Sequence, residues 1–368
     1  MRPVPTLALA LAAALGAAQE GLPAGGGAKE IPPDALPGDL KDLDLRIVLS
    51  SASRTFTARA TYRVATPAGK RSLFFAARKI AVNAVTLDGE PAAFFQEEGG
   101  IRVVIPEAGG DRTVVMAYES RPMAGVIPTI DAPTDRDRPL IHSDGTAEGV
   151  PYWLPLPSGP DDLATATVTV VVPKAWQAVA TGAAVERKDE GYDRIGWVFR
   201  ERTEFPVARL AFAAGPLTET VTGSTPPVSH WTVPALQRAA DARYGSAARM
   251  VAYFSRYLDR EAPFARLAFV TVPDGAVAIG TGAGMVLERD DRLDDGPGSL
   301  AEAVAAQWIR PSPNDPSTAA LLVRVLRGLY LRETQGQEAF DADRLDESTV
   351  GPNYWRRVHR AVGDDRFR

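Results

Sequence analysis

The hydrophobic pattern of this chain changes its period once, and that change constrains the fold more than any single motif. In Thr55–Val64 the residues Phe56, Ala58, Ala60, Tyr62 and Val64 alternate with Thr57, Arg59, Thr61 and Arg63. In Ala164–Val172 the set Ala164, Ala166, Val168, Val170 and Val172 faces away from Thr165, Thr167 and Thr169. Strict alternation predicts half-buried strands with one solvated face. The same reading predicts strands near 43–50, 71–77, 82–87, 101–105, 112–119, 195–201 and 208–214, hence a β-sandwich or saddle. The Pro-, Gly- and Asp-rich stretch 120–162 reads as a long structured loop. From about residue 235 the period becomes 3.6. Ala247, Met250, Val251, Phe254, Tyr257 and Leu258 form one helical stripe. A strand at Leu267–Val272 and helices at 299–309, 316–333 and 352–362 follow. Gly223, Pro226, Pro227 and Pro234 set the boundary near 222–234.

Composition narrows the class. The 368 residues suffice for two domains, and 45% hydrophobic with 24% charged residues is a globular balance. Against 46 acidic residues stand 41 basic ones, a net charge of −5. No concentrated basic surface follows from that balance, which argues against a nucleic-acid or anionic-membrane role. Met1 to Ala18 reads as a secretory signal, with Arg2, an apolar run from Leu7 to Leu15, and small residues before Gln19. Residues 19–37 read as a flexible linker. The β-rich domain is then expected over 38–222 and the α-rich domain over 235–368. There is no Cys, so the chain forms no disulfide and has no N-terminal Cys for a lipid anchor. A periplasmic or extracellular address follows, with no integral membrane segment after signal cleavage.

The helix Ser299-Leu-Ala-Glu-Ala-Val-Ala-Ala-Gln-Trp308 has the outline of a zinc-peptidase helix without its ligands. Such a helix carries two His four residues apart, which puts both imidazoles on one face. Other islands fall in order around it. Tyr152-Trp153-Leu154-Pro155 and Pro160-Asp161-Asp162-Leu163-Ala164-Thr165 lead into Val171-Val172-Pro173-Lys174-Ala175-Trp176 and Ala178-Val179-Ala180-Thr181-Gly182. Gly351, Gly363-Asp364-Asp365 and Phe367 close the series. Together these islands resemble the aminopeptidase N family of zinc metallopeptidases, the gluzincin group. The resemblance implies an α+β chain: a saddle-like all-β N-terminal domain followed by a thermolysin-like, α-rich domain that is C-terminally short.

Carried over residue by residue, the family chemistry does not survive. The resemblance puts the zinc-ligand positions on Glu302, Ala306 and Val325, and the general-base position on Ala303. The oxyanion Tyr position falls on Ser348. The Glu that holds a substrate's amino terminus falls on Thr281. A methyl group has no lone pair for a metal, so zinc, the family cofactor, is not expected here. The three His residues, His142, His230 and His359, are not at metal-ligand spacing in sequence.

Structural readings account for the same residues. Ser299-x-x-Glu302 reads as a capping box. Val325 lies on an apolar stripe with Leu321, Leu322, Leu326 and Leu329. The acidic loop 288–296 lacks calcium-loop spacing and reads as a solvated turn, with His230 in the interdomain linker. Arg356, Arg357, His359 and Arg360 form a basic helix face. Gly280-Thr281-Gly282-Ala283-Gly284 reads as a tight turn or a strand bordering a former cleft. The expectation is an exported non-catalytic aminopeptidase-like protein, a pseudopeptidase acting by peptide or protein binding. An active hydrolase with an atypical site, or a structural envelope module, is the alternative.

Overall fold

The computed structural model describes residues 38–50, 55–120, 126–128, 140–143, 149–157, 159, 162–273, 281–309 and 316–345. The expected signal, 1–18, and linker, 19–37, lie outside the described residues. The rest divides into two compact units. One holds the described parts of Lys29–Tyr244 together with Phe264–Asp294; the other holds Gly245–Pro263 and the described part of Asp295–Arg368.

In the first unit the alternating segments form an eight-stranded sheet. Its order by residue is 183–191, 194–206, 163–173, 39–50, 55–66, 110–120, 80–87 and 90–91. The expected period is visible in the burial: Leu43, Leu45, Ile47 and Leu49 are buried while Asp44 and Arg46 face out. The two strictly alternating segments lie one strand apart, both beside Asp39–Ser50. That central strand pairs antiparallel with Thr55–Thr66 and parallel with Leu163–Pro173. Smaller sheets of four and three strands accompany it. Within 120–162, expected as loop, the described residues include strands Val126–Pro128 and Ile141–Ser143 and a short 3-10 helix, Val150–Tyr152.

The Tyr-Trp-Leu-Pro island is a fastening point. Tyr62 Oη donates to the Pro155 carbonyl at 2.8 Å, and Tyr118 Oη donates to the Trp153 carbonyl at 3.1 Å. Trp153 itself is fully buried, edge-on to Phe212 at 5.2 Å. Asp162 accepts from the Leu40 and Leu163 amides at 2.8 and 3.1 Å. These motif residues satisfy buried or strand-start polar groups, which is a folding role.

A five-stranded sheet, ordered 218–224, 227–232, 267–272, 285–289 and 281–282, completes this unit. The three strands 227–232, 267–272 and 285–289 run parallel. All six residues of Leu267–Val272 are buried, as expected of a parallel strand covered on both faces. The Pro- and Gly-rich stretch at 222–234 is therefore not open linker. It carries the hairpin Thr218–Ser224/Pro227–Thr232, and His230 sits inside the sheet. Prolines at the hairpin tip and strand start are compatible with pairing, because no ladder amide is lost there. Helix α1, Gln237–Tyr244, packs next to this sheet.

The second unit is helical: α2 is Ala247–Leu258, α3 Pro297–Ala305, α4 Pro316–Gln335 and α5 Gln337–Leu345. Met250, Val251, Phe254 and Leu258 of α2 are buried, as the 3.6 period requires. The α4 stripe Leu321, Leu322, Val325, Leu326 and Leu329 is buried too. Gly336, at φ +93°, stops α4, where a side chain would be strained. Gly328 lets α5 approach: a Cβ there would lie 3.0 Å from the Phe340 ring. The expected helix at 352–362, with its basic face, lies outside the described residues, as do Gly351 and the 363–367 island.

Candidate functional site

Helix α3 is shorter than the 299–309 expected. It begins at Pro297 with Gly296 as N-cap and ends at Ala305, with Ala306 as C-cap. Ser299 is consequently the third helical residue and not the cap, which corrects the capping-box expectation. Proline sets the start: its fixed φ suits the first helical position, where its missing amide is no loss. The Ser299 hydroxyl lies 3.2 Å from the Gly296 carbonyl. Past the helix end, the Gln307 amide donates to Val304 and the Trp308 amide to Ala305, each at 3.1 Å. Trp308 Nε1 donates to the Glu261 carbonyl at 3.2 Å, and its ring lies 6.0 Å from Phe254.

Glu302 is engaged elsewhere. Its Oε2 accepts from Arg327 Nη1 at 2.7 Å, and the Arg327 Nη2 donates to Asp343 on α5. One guanidinium thus ties α3, α4 and α5 through two carboxylates. Burial works against the Arg327 charge, but the bonds to Glu302 and the field of Asp343 outweigh it and hold its pKa above the ordinary value. Burial holds the Asp343 carboxyl above its ordinary range, with Arg327 pulling the other way.

The remaining positions separate clearly. Ala303 and Ala306 are half-buried on the segment that carries Glu302. Val325 is 3% exposed and part of the α4 core stripe. The α4 residue that meets Glu302 is Arg327, two positions further on. Thr281 lies on the edge strand of the five-stranded sheet, in register with Val286, and the turn that follows has Gly284 at φ +62°. Ser348 and His359 lie outside the described residues. None of Ala303, Ala306 and Val325 offers a side-chain ligand atom, and the only carboxylate of the set, Glu302, is already countered by a fixed cation. Among the described residues no group of three or more His, Cys, Asp or Glu side chains could hold a metal ion.

The first unit has buried ionisable groups of its own. His142 is buried, its Nδ1 donating to the Ser143 carbonyl at 2.9 Å. His230 has 0% side-chain exposure, and its Nε2 lies 2.9 Å from Asp241 of α1. Gln237 completes the group by donating to Asp241 at 2.9 Å and to Thr220 at 2.6 Å. Burial lowers the His230 pKa, while Asp241 opposes that shift. The acidic loop is also more structured than a solvated turn. Glu288 is buried and accepts from Arg243 Nη2 at 2.6 Å and Nε at 3.2 Å. None of Arg243, Arg327 and Asp241 carries a motif signal; each is visible only through its partner in space.

No protein-family model matches this chain, and no curated protein matches it in sequence. Solved structures do. A point mutant of an M1 zinc metallopeptidase from Deinococcus radiodurans superposes with a TM-score of 0.71 at 18% identity, over 87% of this chain and 78% of that one. The same mutant bound to a Tyr-Ser-Ala substrate gives 0.69 at 19% identity, with the same coverage of 87% and 78%. Native yeast LTA4 hydrolase gives 0.73 at 15% identity, over 88% of this chain and 54% of that one. Likeness at such identities establishes the fold: a large β-sheet region followed by helices, as in these metallopeptidases.

Proposed function

We propose that this chain is an exported, non-catalytic aminopeptidase-like protein that acts by binding a peptide or protein. The observation that carries the reading is the Glu302–Arg327 ion pair on the helix that corresponds, by the motif resemblance, to the zinc helix of the family. A cation built into the chain stands beside the one carboxylate left in the ligand set. A dication brought there would face that guanidinium at close range, and like charges repel, with partial screening by the water that reaches this pair. Ala303 cannot accept a proton from water, and Ala306 and Val325 cannot coordinate. Zinc does not fit the residues present.

The fold supports a binding role because the same architecture, in a neighbour, is described with a Tyr-Ser-Ala substrate bound. Fold alone does not transmit function, so the test addresses the site directly. Purified protein is assayed for metal content and for release of N-terminal residues from alanyl substrates. The expected result is well under one zinc per chain and no release that a chelator abolishes. About one zinc per chain with chelator-sensitive release would overturn the reading. The proposed export is tested by the N-terminus of the protein isolated from cells: processing before Gln19 is expected. Among the described residues, no helix is long and apolar enough to cross a membrane.

The active-hydrolase alternative gains nothing from the His230–Asp241 pair. That His is enclosed, and its Nε2 is already within hydrogen-bond range of Asp241.

A further inference from the structure

The outward face of the eight-stranded sheet carries a cleft of about 290 Å³, lined by Arg46, Val48, Thr57, Val171, Glu190 and Arg194, with Ser50 and Thr55 at one end. Its construction follows from strand register. Val48 pairs with Val171 on one side and Thr57 on the other, and Val171 faces Gly196. These two valines lie side by side as an apolar floor, Val171 only 1% exposed, on a face that also carries Val198, Val115 and Ala117 among Thr and charged residues. One row along, Arg46 lies directly opposite Arg59. Two like charges in register disfavour pairing, and Glu119 stands in register with Thr57 on the same face.

Both lining guanidiniums are anchored with donors to spare. Arg46 Nη2 donates to Glu190 at 2.7 Å, and Arg194 Nη1 donates to the Leu49 carbonyl at 3.2 Å. An Arg has five N–H donors, so several remain on each. Glu190 reaches Arg46 by lying across Gly196: a Cβ there would come within 2.8 Å of Glu190 Oε1. Within the lining, two positive groups face one carboxylate, leaving an uncompensated charge of one. Hydroxyls at Thr57, Ser50 and Thr55 add polar groups at the rim.

We propose that this cleft binds a carboxylate borne on a short aliphatic stem, such as the C-terminal residue of a peptide. The guanidiniums would take the carboxylate, and the Val48–Val171 floor would take the stem. Planar guanidinium forks match carboxylate geometry, and an apolar floor selects against bare inorganic anions. This site lies on the β sheet and stands whether or not the helical unit is catalytic.

Ligand-observed NMR on the full chain tests it at low salt, where a surface charge site is least screened. The probes are N-acetyl-alanyl-valine, its C-terminal amide, and inorganic phosphate. Saturable binding of the free acid is expected, with the amide at least tenfold weaker. Arg194→Gln, and separately Arg46→Gln, should weaken the acid at least tenfold with unchanged thermal unfolding. Glu190→Gln should strengthen it severalfold, since a neutral side chain competes less for Arg46; a purely structural role for Glu190 predicts no such gain. Equal binding of acid and amide, binding of phosphate but not of the acid, or unchanged affinity in both Arg variants would overturn the proposal.

Discussion

Two places in this chain hold an arginine between elements, and they do so in opposite ways. In the first unit, Arg243 of α1 and Glu288 form a closed pair, 1% and 7% exposed, with two hydrogen bonds between them. In the helical unit, Arg327 is 24% exposed and shared by Glu302 at 35% and Asp343 at 14%. The first is almost fully desolvated, so its importance lies in not being broken. The second has one cation for two carboxylates and stays in touch with water. Its role is local: it keeps two acidic side chains from facing each other where three helices meet. An ionic contact at positions that match a catalytic motif is therefore not by itself a remnant of chemistry. Here it clamps helices.

Opening the closed pair should disturb the molecule most. Arg243→Met leaves Glu288 buried without its partner and should cost about 3–5 kcal/mol in urea unfolding. The double variant Arg243→Met/Glu288→Leu should recover most of that loss, since neither charge then needs solvation. A double variant as unstable as the single one would mean the pair supplies net stability and the closed-pair description is wrong.

Breaking the shared arginine should matter less. Arg327→Met leaves two partly hydrated carboxylates and is expected to cost about 1–3 kcal/mol. The pH dependence of that deficit distinguishes it from lost packing. Burial already holds the Asp343 carboxyl high and Arg327 pulls it down, so removing Arg327 raises it further. A folded carboxyl with a raised pKa binds more protons than the unfolded chain, so its penalty is present above that pKa and fades in acid. The deficit of the variant relative to the parent should shrink from pH 7 to pH 4. A deficit independent of pH would assign the loss to packing alone.

How much of this can be read from the chain differs between the two regions for a physical reason. A strand with one wet face writes its role in alternate residues, and so Thr55–Val64 and Ala164–Val172 are legible without coordinates. The hairpin at 218–232 is not: the prolines at its tip look like linker, and its buried strand has no wet face to mark a period. Likewise, the polar α5 gives no stripe. In the helical unit the spacing rule leads to Val325, and that residue reads correctly as core. Arg327 leaves no such trace, because a contact between helices depends on how they pack, and no interval in the sequence encodes that. The cap misleads because Ser299-x-x-Glu302 fits a capping box, while Pro297 two residues earlier already starts the helix.

A smaller effect is expected at His230. Its neighbours are Asp241, Gln237 and the Tyr244 ring at 5.4 Å, with Thr220 behind Gln237. Burial lowers its pKa in the folded chain. Below the ordinary value of 6.5 the unfolded chain takes up a proton that the folded chain resists, so stability is full above that pH and falls as acid is added. The slope contributed by one such group cannot exceed about 1.4 kcal/mol per pH unit. His230→Gln should flatten this part of the stability profile between pH 7 and 5. An unchanged slope would trace acid sensitivity to the carboxylates of the ion clusters instead.

The mildest substitution discriminates most finely at α3. If Ser299 capped the helix, Ser299→Ala would remove an acceptor for a helix-end amide and cost about 1 kcal/mol. With Gly296 at the cap and Pro297 in the first turn, Ser299 sits inside the helix, where alanine is the better helix former. The variant then forfeits the hydroxyl's bonds to the Gly296 carbonyl and the Asp295 carboxylate, on an exposed surface. The two contributions oppose each other, and the net change should stay within about 0.5 kcal/mol. A loss near 1 kcal/mol, together with faster amide exchange in the first turn of α3, would restore the capping role and move the helix start to Ser299. That outcome would also loosen Glu302, since a capping-box partner must turn back to the helix start and away from Arg327. The stability of Ser299→Ala therefore reports on whether Glu302 belongs to the clamp.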